Sequence, residues 1–132
     1  MVNESDIITS FLRHENKDRV KTLIESKNGR KKFLSILAHN FINKVDPRFI
    51  NQISGNKNEV IAIVKKQFDG NKCFVVSEYS KFDGLQMDLE EALEMVIGFG
   101  MGTILYNSDG TRMFYEGEEQ YERYIIYKKA IK

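Results

Sequence analysis

The spacing of apolar residues changes halfway along this 132-residue chain. In residues 1–70 the apolar side chains recur every three or four positions, which is typical of amphipathic helices. In residues 71–132 short runs of β-branched and aromatic residues alternate with turn-forming Gly, Asn and Asp, which is typical of strands. A run of helices followed by a run of strands favours an α+β fold. Because the length suits one domain, we expect residues 1–132 to form a single domain.

Capping residues and glycines divide the first half, residues 1–70, into five predicted helices. Asn3 or Ser5 can cap the first helix, and Asp46-Pro47 is a typical helix start. Asn28-Gly29 is predicted to end the second helix, since both residues tolerate the left-handed conformation. The predicted helices lie around residues 7–12, from Asn16 to the Asn28-Gly29 break, and over 30–43, 47–54 and 58–68.

The second half, residues 71–132, predicts the order β-α-β-β-β. Its helix is capped by Asp88, with Glu91 completing a capping-box pattern, and it buries Leu93 and Val96. Asp109-Gly110 is the turn of a predicted hairpin. The strands are predicted over 73–77, 103–106, 112–116 and from 121 or 122 to 127. This order favours a mainly antiparallel sheet, and we expect helices to cover one face of it.

Composition excludes several classes of protein. No stretch is long and apolar enough to span a membrane, and the first residues lack the basic region of a secretory signal. The only cysteine, Cys73, cannot form an internal disulfide, which favours a reducing compartment. We therefore expect a soluble, cytoplasmic protein. Its formal net charge is +1, but residues 1–66 carry 13 Lys/Arg and 7 Asp/Glu, whereas residues 67–132 carry 7 and 12.

Acidic and tyrosine residues cluster in the last predicted hairpin. The cluster consists of Tyr115, Glu116, Glu118, Glu119 and Tyr121. Exposed tyrosines surrounded by carboxylates are suited to a basic protein partner, because charge complementarity speeds encounter and the rings supply contact area. We therefore predict that these residues are exposed and contiguous, and that the chain is a non-catalytic protein-interaction module. An antitoxin-like or immunity-like role is one form of this hypothesis, and homo-oligomerisation stays open.

The basic first half provides the alternative hypothesis, which is nucleic-acid binding. Arg30, Lys31 and Lys32 begin the third predicted helix, where they could contact phosphates. Most of that helix is apolar, however, so it resembles a buried helix more than one that reads a DNA groove.

Gly98, Gly100 and Gly102 resemble a phosphate-binding loop only superficially. Such loops follow a strand and open a helix, whereas these glycines follow a predicted helix and precede a strand. They are predicted to end the helix in a tight turn, and close packing of Gly100 or Gly102 would explain their number. His14, His39 and Cys73 lack the spacing of zinc ligands. No catalytic residue, metal site or cofactor is therefore predicted, and an enzyme ranks third.

Overall fold

The computed structural model describes residues 3–68, 70–119 and 122–128. In these residues the chain forms the expected α+β fold, with six α-helices and six strands. The helices are α1 (Glu4–Thr9), α2 (His14–Glu25), α3 (Lys27–His39), α4 (Phe41–Lys44), α5 (Lys57–Gln67) and α6 (Leu89–Val96). The strands are β1 (Ile50–Gln52), β2 (Lys72–Ser77), β3 (Gln86–Asp88), β4 (Thr103–Asn107), β5 (Arg112–Glu116) and β6 (Arg123–Tyr127).

All six strands join one antiparallel sheet in the order β1-β6-β5-β4-β2-β3. The four predicted strands form its centre, and the prediction of a mainly antiparallel sheet is confirmed. The two edge strands, β1 and β3, were not predicted. Each has only three residues, which is too short to show the alternation of side chains by which a strand is recognised in a sequence.

Helices cover both faces of the sheet, so the expectation of one covered face is wrong. One face, which includes Val76, Ile104 and Tyr115, packs against α1, α2, α3 and α4. The other face, which includes Val75 and Leu105, packs against α5 and α6. Successive side chains of a strand point to opposite faces, so each buried strand contributes to both apolar cores. Both faces of β4 and most of β5 are buried.

The break that ends the second helix lies at Ser26 and not at Asn28-Gly29. Ser26 has extended backbone angles, and its side chain accepts a hydrogen bond from the backbone N–H of Gly29, 2.9 Å away, as an N-cap does. Gly29 therefore lies in the first turn of α3. The predicted helix over 30–43 is also divided, because the chain leaves the helical conformation at Asn40, between α3 and α4.

The predicted helix over 47–54 is mostly wrong. Asp46 does cap it, by accepting the N–H of Arg48, but only one 3-10 turn follows, over Pro47–Phe49. The chain then becomes β1, in which Ile50 pairs with Ile126 of β6. Pairing with a strand distant in sequence thus replaced a locally favoured helix.

Helix α6 follows its prediction closely. Asp88 accepts the N–H of Glu91 as the cap, Leu93 and Val96 are buried, and Glu90 and Glu94 are exposed. Among the residues that the structure describes, no helix is long and apolar enough to cross a membrane.

Candidate functional site

Four polar residues lie side by side near one end of the sheet. Ser77, Thr103, Glu116 and Arg123 are register partners across β2, β4, β5 and β6. All four are at least nine-tenths buried. The hydroxyls of Ser77 and Thr103 are 2.8 Å apart, and Nε of Arg123 donates to Oε1 of Glu116 at 2.8 Å. Buried polar groups need such partners, so this row is internally satisfied.

The loop between α6 and β4 is attached to this end of the sheet by two carboxylates. Oε2 of Glu116 accepts the N–H of Gly98 at 2.8 Å, and Oε1 of Glu78 accepts the N–H of Gly102 at 3.2 Å. Gly102 also packs tightly on α3, since a Cβ there would lie 2.4 Å from the carbonyl oxygen of Leu37. The expected close packing of a glycine in this loop is therefore found at Gly102.

Phe99 stands out from this loop, with 42% of its surface exposed. Its neighbours Gly98 and Gly100 have φ angles of 84° and 81°, a conformation that side-chain-bearing residues rarely adopt. The ring of Phe99 contacts those of Tyr79 and Phe82, with centroids 5.1 Å and 5.7 Å away. The loop thus leaves the Phe99 ring partly exposed to solvent. The rest of the ring contacts two partly buried rings from the β2–β3 connection.

Carboxylates lie on the segments next to these rings. The hairpin loop between β5 and β6 lies beside Gly100, the residue after Phe99, because a Cβ on Gly100 would be 3.8 Å from the carbonyl oxygen of Glu118. The negative charges of Glu122, Glu118 and Glu78 add to burial in raising the pKa of the Tyr115 hydroxyl, so this end of the sheet is acidic. We call this surface the acidic sheet end; it consists of Tyr79, Phe82 and Phe99 with Glu78, Glu118, Glu119 and Glu122.

Two of the five predicted partner-binding residues do not face solvent. Tyr115 and Glu116 are each only 1% exposed, so the prediction of their exposure is wrong. Tyr115 lies on the face that packs on α1–α4, where its hydroxyl donates to the carbonyl of Leu37. Glu116 lies on the opposite face, where burial raises the pKa of its carboxyl despite the nearby Arg123. Glu118 and Glu119 are exposed as expected, and Tyr121 lies outside the described residues.

The three residues predicted to contact nucleic acid also differ in their exposure and contacts. Arg30 is bound between two acids: its guanidinium donates to both carboxylate oxygens of Asp83, at 2.8 Å and 3.0 Å, and to Glu4. These hydrogen bonds raise its pKa further and tie α3 to the β2–β3 connection. Arg30 is therefore a structural residue in this protein, whereas Lys31 and Lys32 are exposed on α3.

Phe99 and Tyr79 were not among the predicted site residues. The signal for Phe99 is its position between two glycines, because turn-forming glycines indicate a loop and loops lie at the surface. Tyr79 carries no comparable signal. Its place beside Phe99 depends on how the α6–β4 loop lies against the β2–β3 connection.

Cys73 is a free, buried cysteine. Burial raises the pKa of the Cys73 thiol to about 12, so this cysteine is an inert core residue in the folded chain. Within residues 3–68, 70–119 and 122–128 no group of three or more His, Cys, Asp or Glu side chains is arranged to hold a metal ion.

No protein-family model, curated protein or solved structure matches this chain. The class is therefore defined by the fold alone, as an α+β domain whose antiparallel sheet lies between two helical layers.

Proposed function

We propose that the protein is a cytoplasmic, non-catalytic interaction module that binds a basic protein partner through its acidic sheet end. The observation that supports this best is the exposure of Phe99 on a loop that is otherwise closely attached to the fold. Aromatic side chains are enriched at the centres of protein interfaces, where they supply most of the binding energy.

The construction of the loop suits a binding role for Phe99. Its ring contacts Tyr79 and Phe82 and is thereby held in place, while 42% of its surface stays exposed. Here the two ends of the loop are hydrogen-bonded to carboxylates, and its tip presents a ring that loses little freedom on binding. Such preorganisation lowers the entropic cost of association.

The charge of the surface indicates the chemistry of the partner. Glu78 directly precedes Tyr79, and Glu118, Glu119 and Glu122 belong to the hairpin loop that lies beside Gly100. Lys81 is the exposed cation of the neighbouring β2–β3 connection. A partner with lysines or arginines around an apolar pocket would complement both features. An antitoxin-like or immunity-like protein that neutralises a basic toxin would have this type of surface.

The proposal is tested by photo-crosslinking in the native cell. A photoreactive phenylalanine analogue at position 99 should crosslink to one protein with a basic surface, and the crosslink should decrease as salt rises. The matched control carries the analogue at Ile63, which is 37% exposed on α5 and should give no such product. A product that contains only a second copy of this chain, or equal products from both positions, would contradict a heterotypic basic partner.

Two double charge-reversal variants distinguish an effect of the acidic sheet end from an effect of the overall net charge. Glu118→Lys with Glu119→Lys should weaken capture of the crosslinked partner at least about tenfold, as expected for the loss of several complementary charges. Glu15→Lys with Asp18→Lys makes the same change in net charge on exposed positions of α2 and should leave capture unchanged. Equal effects of the two pairs would show that only the overall charge matters.

A second candidate, nucleic-acid binding, is favoured by a cleft of about 490 Å³ in the helical layer. Its lining combines two cations with three amide side chains and consists of Asn16, Arg19, Ile36, Asn40, Asn43 and Lys44. Lys32 precedes Ile36 by four residues and therefore lies on the same side of α3. Cations suit phosphates, and amides suit the edges of bases.

Salt dependence tests this second candidate. Affinity for a labelled single-stranded RNA should fall steeply between low and physiological salt, because each phosphate contact releases counterions. Arg19→Ala with Lys44→Ala should remove most of the binding. The control variant, Lys66→Ala with Lys72→Ala, changes two exposed lysines outside the cleft and should have little effect on binding. No detectable binding at low salt would exclude this candidate.

A further inference from the structure

Strand β3 forms one edge of the sheet. It pairs with β2 on one side, and no strand of the described residues pairs with its outer side. The carbonyl of Leu85 accepts the N–H of Val75 at 2.9 Å, and the N–H of Leu89 donates to the carbonyl of Asn71 at 2.7 Å. Inward and outward backbone groups alternate along an antiparallel strand, so Gln86 directs its N–H and C=O away from β2. The outer edge of β3 thus offers a donor and an acceptor to a further strand.

An exposed apolar strip runs beside this edge. Met87 packs against the core under α5 and α6, and Leu85, two residues earlier, points to the same face of the sheet. Leu85 is nevertheless 43% exposed, and Met95 of α6 is 42% exposed. The N–H of Leu85 donates to the carbonyl of Phe82, and the ring of Phe82 contacts that of Phe99. The strip is therefore continuous with the acidic sheet end.

The side of α6 that carries Met95 faces the outer edge of β3. Glu90 and Glu94 form ion pairs with two lysines of α5, so their side of α6 faces α5. The next residues, Glu91 and Met95, each lie about 100° further round the helix, away from α5. Helix α6 packs on β2 and β3, and α5 covers the strands beyond them. The side of α6 away from α5 therefore lies along the exposed edge.

Charge at this edge favours a basic segment over a second copy of this chain. Helix α6 contains three glutamates and no Lys or Arg, and Glu91 is the one for which the described residues provide no ion pair. Lys72 offsets Asp88, because the two are register partners. Symmetric pairing of β3 with the β3 of a second copy would bring two acidic α6 helices together, which like charges oppose. A segment that carries Lys or Arg would complement Glu91.

We propose that an extended basic segment of a partner protein binds along the outer edge of β3 as a seventh, antiparallel strand. This inference rests on the proposed function, because the segment would belong to the partner that contacts the acidic sheet end. Backbone hydrogen bonds to Gln86 would fix the segment, as in other cases of strand addition. A three-residue edge offers few such bonds, so side chains must add to the affinity. An apolar residue opposite Leu85 would contact the strip, and a basic residue two positions away, opposite Met87, would reach Glu91.

The test is an NMR titration of the ¹⁵N-labelled full chain with the peptide TVTKTVT, acetylated and amidated at its ends. Its lysine and valine are two positions apart, as the edge requires. Saturable shifts should appear at the amides of Gln86 and Asp88, whose N–H groups point outward. The peptide TVTETVT, which would place a carboxylate beside Glu91, should bind at least about threefold more weakly.

Two N-methylated peptides distinguish strand addition from attraction between charges. In the added strand the threonines lie opposite Gln86 and direct their N–H groups to β3, whereas the valines and the lysine direct theirs away. N-methylation of the threonines should therefore weaken binding at least about tenfold, as loss of backbone hydrogen bonds does. N-methylation of the valines and the lysine should weaken it less than about threefold.

Variants of the protein assign the binding to this edge. Gln86→Pro removes the outward N–H and keeps the ladder with β2, since proline is tolerated where the N–H of an edge strand faces solvent. Leu85→Ser removes the apolar contact. Each should weaken binding of TVTKTVT at least about fivefold, as loss of one hydrogen bond or of one apolar contact does. The matched control, Ile63→Ser, changes an exposed apolar residue of α5 and should change the affinity less than about twofold.

Several outcomes would overturn the seventh strand. They are the absence of a saturable shift, equal affinity of the two N-methylated peptides, and wild-type affinity in both Gln86→Pro and Leu85→Ser. Shifts of the Gln86 amide that depend on protein concentration without peptide would also overturn it, because a second copy would then occupy the edge.

The proposed function is tested separately by the crosslink from Phe99. If position 99 crosslinks to a basic partner but Gln86→Pro captures that partner as well as wild type does, the seventh strand is overturned and the proposed function stands. If TVTKTVT binds at β3 but position 99 gives no crosslink, the edge is supported as a site for basic segments and the proposed function is contradicted.

Discussion

Tyr115 and Glu116 are adjacent in the sequence but contribute to different parts of the fold. Tyr115 connects the sheet to α3 through its hydroxyl, and Glu116 connects the sheet to the end of α6 through Gly98. At the scale of residues, the side of the strand on which a side chain lies therefore decides its role. Polarity alone had suggested that both belong to one exposed surface.

Glu116 should make stability depend on pH in an unusual direction. Burial raises the pKa of its carboxyl above the ordinary value of 4.5, despite the hydrogen bond from Arg123. The folded state therefore holds this proton more tightly than the unfolded state does. The stabilising contribution is complete below pH 4.5 and is lost as pH rises through the raised pKa. Glutamine mimics the protonated carboxyl, so the free energy of unfolding of wild type should fall relative to that of Glu116→Gln as pH rises.

Urea unfolding of both proteins at several pH values from 4 to 7 measures this difference. Near pH 4 the two proteins should have similar free energies of unfolding, because protonated Glu116 and glutamine are both neutral beside Arg123. A wild type that gains stability over Glu116→Gln as pH rises would show that the ion pair dominates over burial and that the direction of the pKa shift is opposite.

At the scale of elements, the α6–β4 loop is built closely against its neighbours. Gly102 contacts the backbone of α3, and the carboxylates of Glu78 and Glu116 bind the two ends of the loop. The loop thereby joins elements from both sides of the sheet. Its glycines differ in purpose, since Gly98 and Gly100 supply left-handed backbone angles whereas Gly102 supplies space.

Gly102→Ala should destabilise the fold by steric overlap. The added Cβ would lie 2.4 Å from the carbonyl oxygen of Leu37, so the loop or α3 must move, and such overpacking costs about 1–3 kcal/mol. Gly100→Ala is the matched control, because its Cβ would meet nothing closer than 3.8 Å and only the left-handed backbone costs about 1 kcal/mol. Chemical denaturation of both variants compares the two costs. Wild-type stability in Gly102→Ala would contradict the close approach.

At the scale of the whole molecule, one sheet connects two apolar cores. The core between the sheet and α1–α4 contains Tyr115, and the core between the sheet and α5–α6 contains Cys73. The central strands contribute side chains to both. Because neither core can lose its sheet face without exposing the other, we expect residues 1–132 to unfold as one cooperative unit.

Cys73 offers a measurement of that cooperativity. Its thiol has no exposed surface and a pKa of about 12, so at pH 8 it should react with a thiol reagent at least about a thousandfold more slowly than in urea. Across a urea titration, the gain in thiol reactivity should have the same midpoint as the loss of the near-ultraviolet signal from buried tyrosines. Separate midpoints would show that the two sides of the sheet unfold independently.

The sequence by itself determined the elements whose pattern is local. Helix α6 was predicted with its cap and its buried face because its apolar residues repeat at helical spacing. The four central strands were predicted in order because each is a run of β-favouring residues between turn-forming residues. The acidic character of one end of the sheet was also predicted, through Glu118 and Glu119. Short elements such as β1 lack a period, and they form because a distant strand provides hydrogen-bond partners.

Only the tertiary structure decided which polar residues face solvent and which functional groups meet. Strand pairing buried Glu116 beside Arg123 and brought Arg112 beside Tyr127, and neither pairing has a local signal. Loop packing placed Phe99 next to Tyr79, twenty residues earlier in the chain. A side chain's exposure depends on contacts between elements remote in sequence, whereas a helix or a long strand is specified by its own residues. For this reason the fold class was predicted, and the burial of Tyr115 and Glu116 was not.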